Sequence, residues 1–191
     1  TSTSSIIMQW ADPLGGATND YDLFRLNAAL TAVQSSSTNV QNGTQDPFET
    51  VTQAAGSRLV VVRRTGAAAR FISLTTNRGR LQYATSGQIR GHAGAANAFG
   101  TAATPTSPGN GGPFPGRFVA SNVVETFSSD GLRRVFFDAS NAAITPGNFL
   151  AATSGGLLRQ KPDVTAADGA PTSVPGFERF FGTSAAAPHA A

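Results

Sequence analysis

Hydrophobic positions along this chain come in short bursts separated by turn-formers. An apolar run at 6–10, carrying Ile6, Ile7, Met8 and Trp10, stops at Ala11-Asp12-Pro13 and a glycine pair. Residues 21–26 alternate, placing Tyr21, Leu23 and Leu26 near one buried face. Further strands are predicted at 48–52, 58–63 and 69–74, and 59–62 is the most β-prone run. Asn42-Gly43 marks a turn, and 26–33 reads as a hairpin in preference to a short helix. Strands spaced by roughly 8–12 residues point to a sandwich or barrel.

The second half changes character. Small residues dominate 91–104, with a buried strand predicted at 98–103, and 105–116 is a loop holding Pro105, Pro108, Pro113 and Pro115. A strand is predicted at 133–138, followed by a longer excursion over 139–159. Phe181-Gly182-Thr183-Ser184-Ala185-Ala186-Ala187-Pro188-His189 reads as a glycine turn entering an Ala-rich helix that starts at Ser184. Pro188 is placed near the end of its first turn, where a missing N–H costs no intrahelical bond.

Composition narrows the classes. With 191 residues and 40 % hydrophobic content the chain can bury a core, and its 13 % charged residues with 21 Gly and 11 Pro favour a turn-rich β or mixed architecture. The net charge of +3 comes from thirteen arginines and one lysine, Lys161; only Arg63-Arg64 and Arg133-Arg134 are adjacent, so no nucleic-acid surface is expected. The absence of cysteine excludes disulfides, thiolate zinc sites and a cysteine nucleophile. No run approaches the roughly 18 apolar residues of a membrane span.

Chemistry concentrates at Ser184. A serine hydroxyl is a poor nucleophile near neutral pH, so it needs a base to take its proton and donors to hold the developing oxyanion. A helix starting at Ser184 leaves its first N–H groups without intrahelical partners, aimed with the positive end of the dipole at an incoming negative oxygen. Ser184 is therefore a candidate nucleophile and oxyanion donor, with Gly182 and Thr183 as adjoining binding residues. The plainer alternative is a serine N-cap.

The full string Gly182-Thr183-Ser184-Ala185-Ala186-Ala187-Pro188-His189 resembles the nucleophile motif of the subtilisin-like serine peptidases, the subtilases. Lys161-Pro162-Asp163-Val164, running on to Asp168-Gly169, is similar to the strand and glycine turn that precede that motif. Phe127-Ser128-Ser129-Asp130-Gly131 resembles the family's Phe-Ser-Ser-x-Gly turn. The resemblance spans roughly 92–191 and implies that Ser184 attacks a peptide carbonyl. It also implies that His189 packs structurally and that the base lies in a separate His-Gly-Thr segment. Neither that string nor an Asp-Thr-Gly or Asp-Ser-Gly string is present. Subtilisin-type triads run Asp, His, Ser along the chain, so the base, its aspartate and the oxyanion asparagine are expected upstream of Thr1. His92 is read as structural, Asn97 receives no catalytic role, and Asp130-Gly131 and Asp168-Gly169 are read as turns.

The first half has its own likeness. Gln9-Trp10, Asn19-Asp20-Tyr21-Asp22-Leu23-Phe24 and Asp46-Pro47-Phe48-Glu49 look like the small β-sandwich of the pre-peptidase C-terminal type, which some subtilases carry inserted before the nucleophile. Asp20, Asp22 and Glu49 form the one carboxylate group worth weighing as a calcium site, since calcium takes six to eight oxygens; the same residues could equally cap turns or pair with arginines. No other cofactor is expected. Trp10, Tyr21 and Phe24 could form an aromatic contact surface or ordinary core.

The expected fold is mixed and β-rich. A jelly-roll-like antiparallel β-sandwich over 1–88 precedes an incomplete C-terminal part of an α/β subtilisin-like catalytic domain over 89–191. The expected function is that of a segment of a serine endopeptidase, inactive alone, acting on polypeptide substrates once the remainder of the catalytic domain supplies Asp, His and Asn. The family resemblance implies an extracellular or cell-envelope setting. The alternative is a non-catalytic substrate-binding or structural sandwich module.

Overall fold

A computed structural model describes residues 5–77 and 79–191. Strand accounts for 31 % of the chain and helix for 10 %, so the protein is β-rich, and most of its pairing is antiparallel. The chain forms two compact units, one of 1–84 with 134–157 and the other of 85–133 with 158–191. Where the sequence predicts one division at 88/89, the chain passes between the units after 84, 133 and 157. No helix among the described residues is long and apolar enough to cross a membrane.

The first unit is built on six strands: β1 (Ser5–Trp10), β2 (Tyr21–Leu26), β3 (Val33–Ser37), β4 (Phe48–Thr52), β5 (Arg58–Arg63) and β6 (Ile72–Thr76). They form two antiparallel sheets ordered β4-β1-β6 and β3-β2-β5. Alternate residues of a strand share a face, and β1 accordingly buries Ile6, Met8 and Trp10. These meet Tyr21 and Leu23 of β2 and Val51 of β4 in one core, flanked by Leu59, Val61, Ile72 and Leu74. Trp10 and Tyr21, with ring centroids 5.2 Å apart, are therefore core residues rather than a contact surface. The hairpin expected over 26–33 is present as the β2–β3 connection. The strand predicted at 69–74 forms at Ile72–Thr76 instead, and the Phe71 N–H bonds to the Phe149 carbonyl at 2.8 Å.

β3 was not foreseen because its sequence, Val-Gln-Ser-Ser-Ser, has no apolar alternation. It forms because its serines have work across the sheets. The Thr52 N–H donates to Ser35 Oγ at 3.3 Å and the Thr50 N–H to Ser37 Oγ at 3.2 Å.

In the second unit β7 (Thr101–Pro105) lies parallel to β10 (Val164–Asp168), with Thr101 opposite Val164 and Pro105 opposite Asp168. Between them in sequence, β8 (Arg133–Val135) and β9 (Leu157–Arg159) pair with each other at the two points where the chain passes from one unit to the other. β11 (Ala170–Pro171) and β12 (Arg179–Phe180) make a short antiparallel ladder leading into α1 (Thr183–Ala190). The strands expected at 98–103 and 133–138 thus form at Thr101–Pro105 and Arg133–Val135. The helix packs against β7 and β10, burying Ala185 and Ala186 as the strand buries Ala102 and Ala103. Alanines on both sides let helix and sheet approach closely at interior density. The other edge of β7 is occupied too: Ala103 donates its N–H to Ser128 Oγ at 2.8 Å and accepts the Glu125 N–H at 2.8 Å.

Candidate active site

The approach to Ser184 begins at Lys161. This single lysine is 3 % exposed, and its ammonium bonds the Ala98 carbonyl and, at 2.7 Å, Asp163 Oδ2. The same oxygen accepts the Gly100 N–H at 2.7 Å, and the lysine's hydrogen bond holds the Asp163 carboxyl below its ordinary pKa. The Lys-Pro-Asp-Val string therefore pins the entries of β7 and β10 to each other. Its charge pair was invisible as such in the sequence, although a lone lysine two residues before an aspartate was the available signal.

β10 ends at Asp168, whose side chain is wholly buried. The sequence reading of Asp168 as a simple turn residue needs correction. Gly169 does turn, with φ of +66°, but Asp168 is the last residue of the strand, and its Oδ2 accepts the Gly182 N–H at 2.8 Å. Gly169 also leaves room for an aromatic ring, since a Cβ there would lie 2.6 Å from Phe181 Cε1. Near this carboxylate is Glu125, half-buried, whose pKa is raised first by burial and then by the Asp168 charge.

Gly182 has φ 125° and ψ 160°, a region that is essentially glycine-only. It is the N-cap, so α1 begins at Thr183, one residue before the expected start. The N–H groups of Ala185 and Ala186 both reach the Gly182 carbonyl, at 2.9 and 3.1 Å. With the Gly182 N–H held by Asp168, the N–H groups of Thr183 and Ser184 are without a hydrogen bond among the described residues. These are first-turn donors of the kind that bind anions. Ser184 is exposed, and no hydrogen bond ties it to a histidine or carboxylate side chain among the described residues.

Pro188 also differs from expectation. It is the sixth residue of the helix, and its missing N–H is the one that would have met the Ser184 carbonyl. His189 Nδ1 lies 2.7 Å from the Ala167 carbonyl of β10, so this histidine fastens the helix to the sheet. His92 is exposed on a 3-10 turn, Gly91–Gly94. Asp130 accepts the Gly87 and Gln88 N–H groups at 2.9 and 3.2 Å.

A groove of about 660 Å³ runs beside Phe118, Val119, Val124, Val164 and His189. It meets α1 at its C-terminal end, and Ser184 does not line it.

Two of the three carboxylates weighed for calcium take other partners. Asp22 pairs with Arg64 at 3.3 Å, and burial raises its pKa. Glu49 is wholly buried and accepts from Ser37 Oγ, the Asn39 N–H at 3.0 Å, Asn39 Nδ2 at 3.1 Å and Gln41 Nε2 at 2.9 Å. Asp20 Oδ1 is buried with no partner. Among the described residues, no three His, Cys, Asp or Glu side chains gather as a metal would require.

Searches of the chain against protein-family models, curated proteins and solved structures found no match.

Proposed function

We propose that this chain is a segment of a subtilisin-like serine endopeptidase in which Ser184 is the nucleophile. The observation that carries the reading is the exposed Ser184 on the first turn of α1, with its own N–H and that of Thr183 unbonded among the described residues. In this reading Ser184 Oγ attacks a peptide carbonyl while an imidazole base takes its proton. The carbonyl oxygen becomes an oxyanion held by the helix N–H groups, and the amine leaves with the proton to give an acyl-enzyme. The base, its aspartate and the asparagine donor come from polypeptide outside these 191 residues. The parallel β7–β10 pair with α1 packed on it is read as the C-terminal part of the α/β catalytic domain. The two antiparallel sheets of the first unit are read as the inserted sandwich. The setting is extracellular or cell-envelope and the substrate a polypeptide.

A fluorophosphonate probe tests this. Ser184 labels in the polypeptide that also carries the base, Ser184→Ala abolishes labelling, and the 191-residue chain alone labels at background. Absence of labelling in the longer polypeptide removes Ser184 as nucleophile; efficient labelling of the chain alone removes the external base.

A further inference from the structure

We infer that Asp168 is the positioning residue of the Gly182–Ser184 turn, a role that rests on the reading of Ser184 as nucleophile. Gly182 lies fourteen positions after Asp168, yet Asp168 Oδ2 takes the Gly182 N–H at 2.8 Å. The backbone of Asp168 is fixed at the same time: its carbonyl accepts the Thr106 N–H at 3.1 Å and Thr106 Oγ1 at 2.9 Å. The carboxylate is thus a rigid post at the end of the β7–β10 pair. A charged acceptor holds a backbone N–H about twice as strongly as a neutral one.

That hold acts where the backbone is least content. Gly182 at φ 125° and ψ 160° is in a sparsely populated conformation that surrounding contacts must enforce. Directly after the amide that Asp168 holds come those of Thr183 and Ser184, first-turn donors without a hydrogen bond among the described residues.

Stability alone does not account for this residue. Asp168 is 0 % exposed, and its Oδ1 is buried with no hydrogen-bond partner among the described residues. Burying a carboxylate with an unsatisfied oxygen destabilises a fold. A buried carboxylate whose bonded oxygen fixes a strained turn two positions before Ser184 is what a positioning role requires.

The test compares the ¹⁵N-labelled 191-residue chain with Asp168→Asn and Asp168→Ala. Asparagine keeps an acceptor oxygen for the Gly182 N–H and loses the charge; alanine loses both. The Gly182 amide proton is expected to resonate well downfield, to move upfield in Asp168→Asn, and to carry Thr183 and Ser184 with it only in Asp168→Ala, while Ala102 in β7 stays in place. An unmoved Ser184 amide in Asp168→Ala overturns the proposal. Should the alanine variant fail to fold, an unmoved Gly182 amide in Asp168→Asn overturns it equally. In the polypeptide that carries the base, fluorophosphonate labelling of Ser184 is expected to slow at least tenfold in Asp168→Ala and to recover most of its rate in Asp168→Asn. A wild type that does not label overturns the nucleophile reading, and the amide shifts then still decide whether Asp168 sets the turn.

Discussion

The imidazole of His189 and the carbonyl of Ala167 meet at 2.7 Å, which makes Nδ1 the protonated nitrogen because a carbonyl can only accept. His189 follows Ser184 by five residues, and five α-helical steps turn a side chain about 140° around the axis. One histidine cannot both hold β10 and face that serine. We expect His189→Ala to lower stability by about 1 kcal/mol, the net worth of one hydrogen bond. The pH dependence of Ser184 labelling by a fluorophosphonate in the base-bearing polypeptide stays unchanged. A loss of the acidic limb of that profile, where protonation silences an imidazole base, would make His189 the base.

Gly182→Ala is expected to destabilise the chain by about 1–3 kcal/mol, since φ of 125° with ψ of 160° is closed to residues with a Cβ. Lack of space is not the cause: the nearest atom to a Cβ there, the Ser184 nitrogen, is 3.8 Å away. Denaturant melts give the loss, and a variant as stable as the wild type would mean that the turn relaxes.

β1 was legible as an apolar run bounded by turn-formers, although only alternate residues of it, Ile6, Met8 and Trp10, are buried. β3 was illegible because its serines bond to β4 amides instead of burying apolar surface. At the candidate site the glycine turn and the helix could be read from Gly182 and the alanines. The role of Asp168 could not, since an Asp-Gly pair predicts a turn whether its carboxylate faces water or a backbone N–H fourteen residues away. Long-range partners of that kind leave no local pattern.

Pro188→Ala restores an N–H opposite the Ser184 carbonyl, inside a helix of only eight residues. Proline in a helix interior costs about 3 kcal/mol against alanine, less near an end. A gain of about 1–2 kcal/mol is expected in the melt, with slower hydrogen exchange at Ala190. No gain would show that the last turn is frayed and the Ser184 carbonyl solvated.

Glu125 gives the pH dependence. Burial and then the neighbouring Asp168 charge push its pKa up, so the folded state keeps a proton at pH values where the unfolded chain has released it. Stability rises with pH only where the unfolded state binds more protons; here it binds fewer. The contribution of Glu125 therefore falls as pH climbs from its ordinary value, about 4.3, through the raised value, and is constant beyond. The carboxyls of Asp138, Asp163 and Glu178, all lowered, act in the opposite sense and favour the fold above the ordinary range. The wild-type melt is thus a sum of opposing slopes, and a difference curve isolates one. Glu125→Gln removes the ionisation and keeps the shape, so the Tm of the variant relative to wild type should rise across that window and then level off. In an Asp168→Asn background the rise should be smaller, because one of its two causes has gone. A difference curve that stays flat across the window would mean that Glu125 is solvated and the Asp168 charge is not felt there.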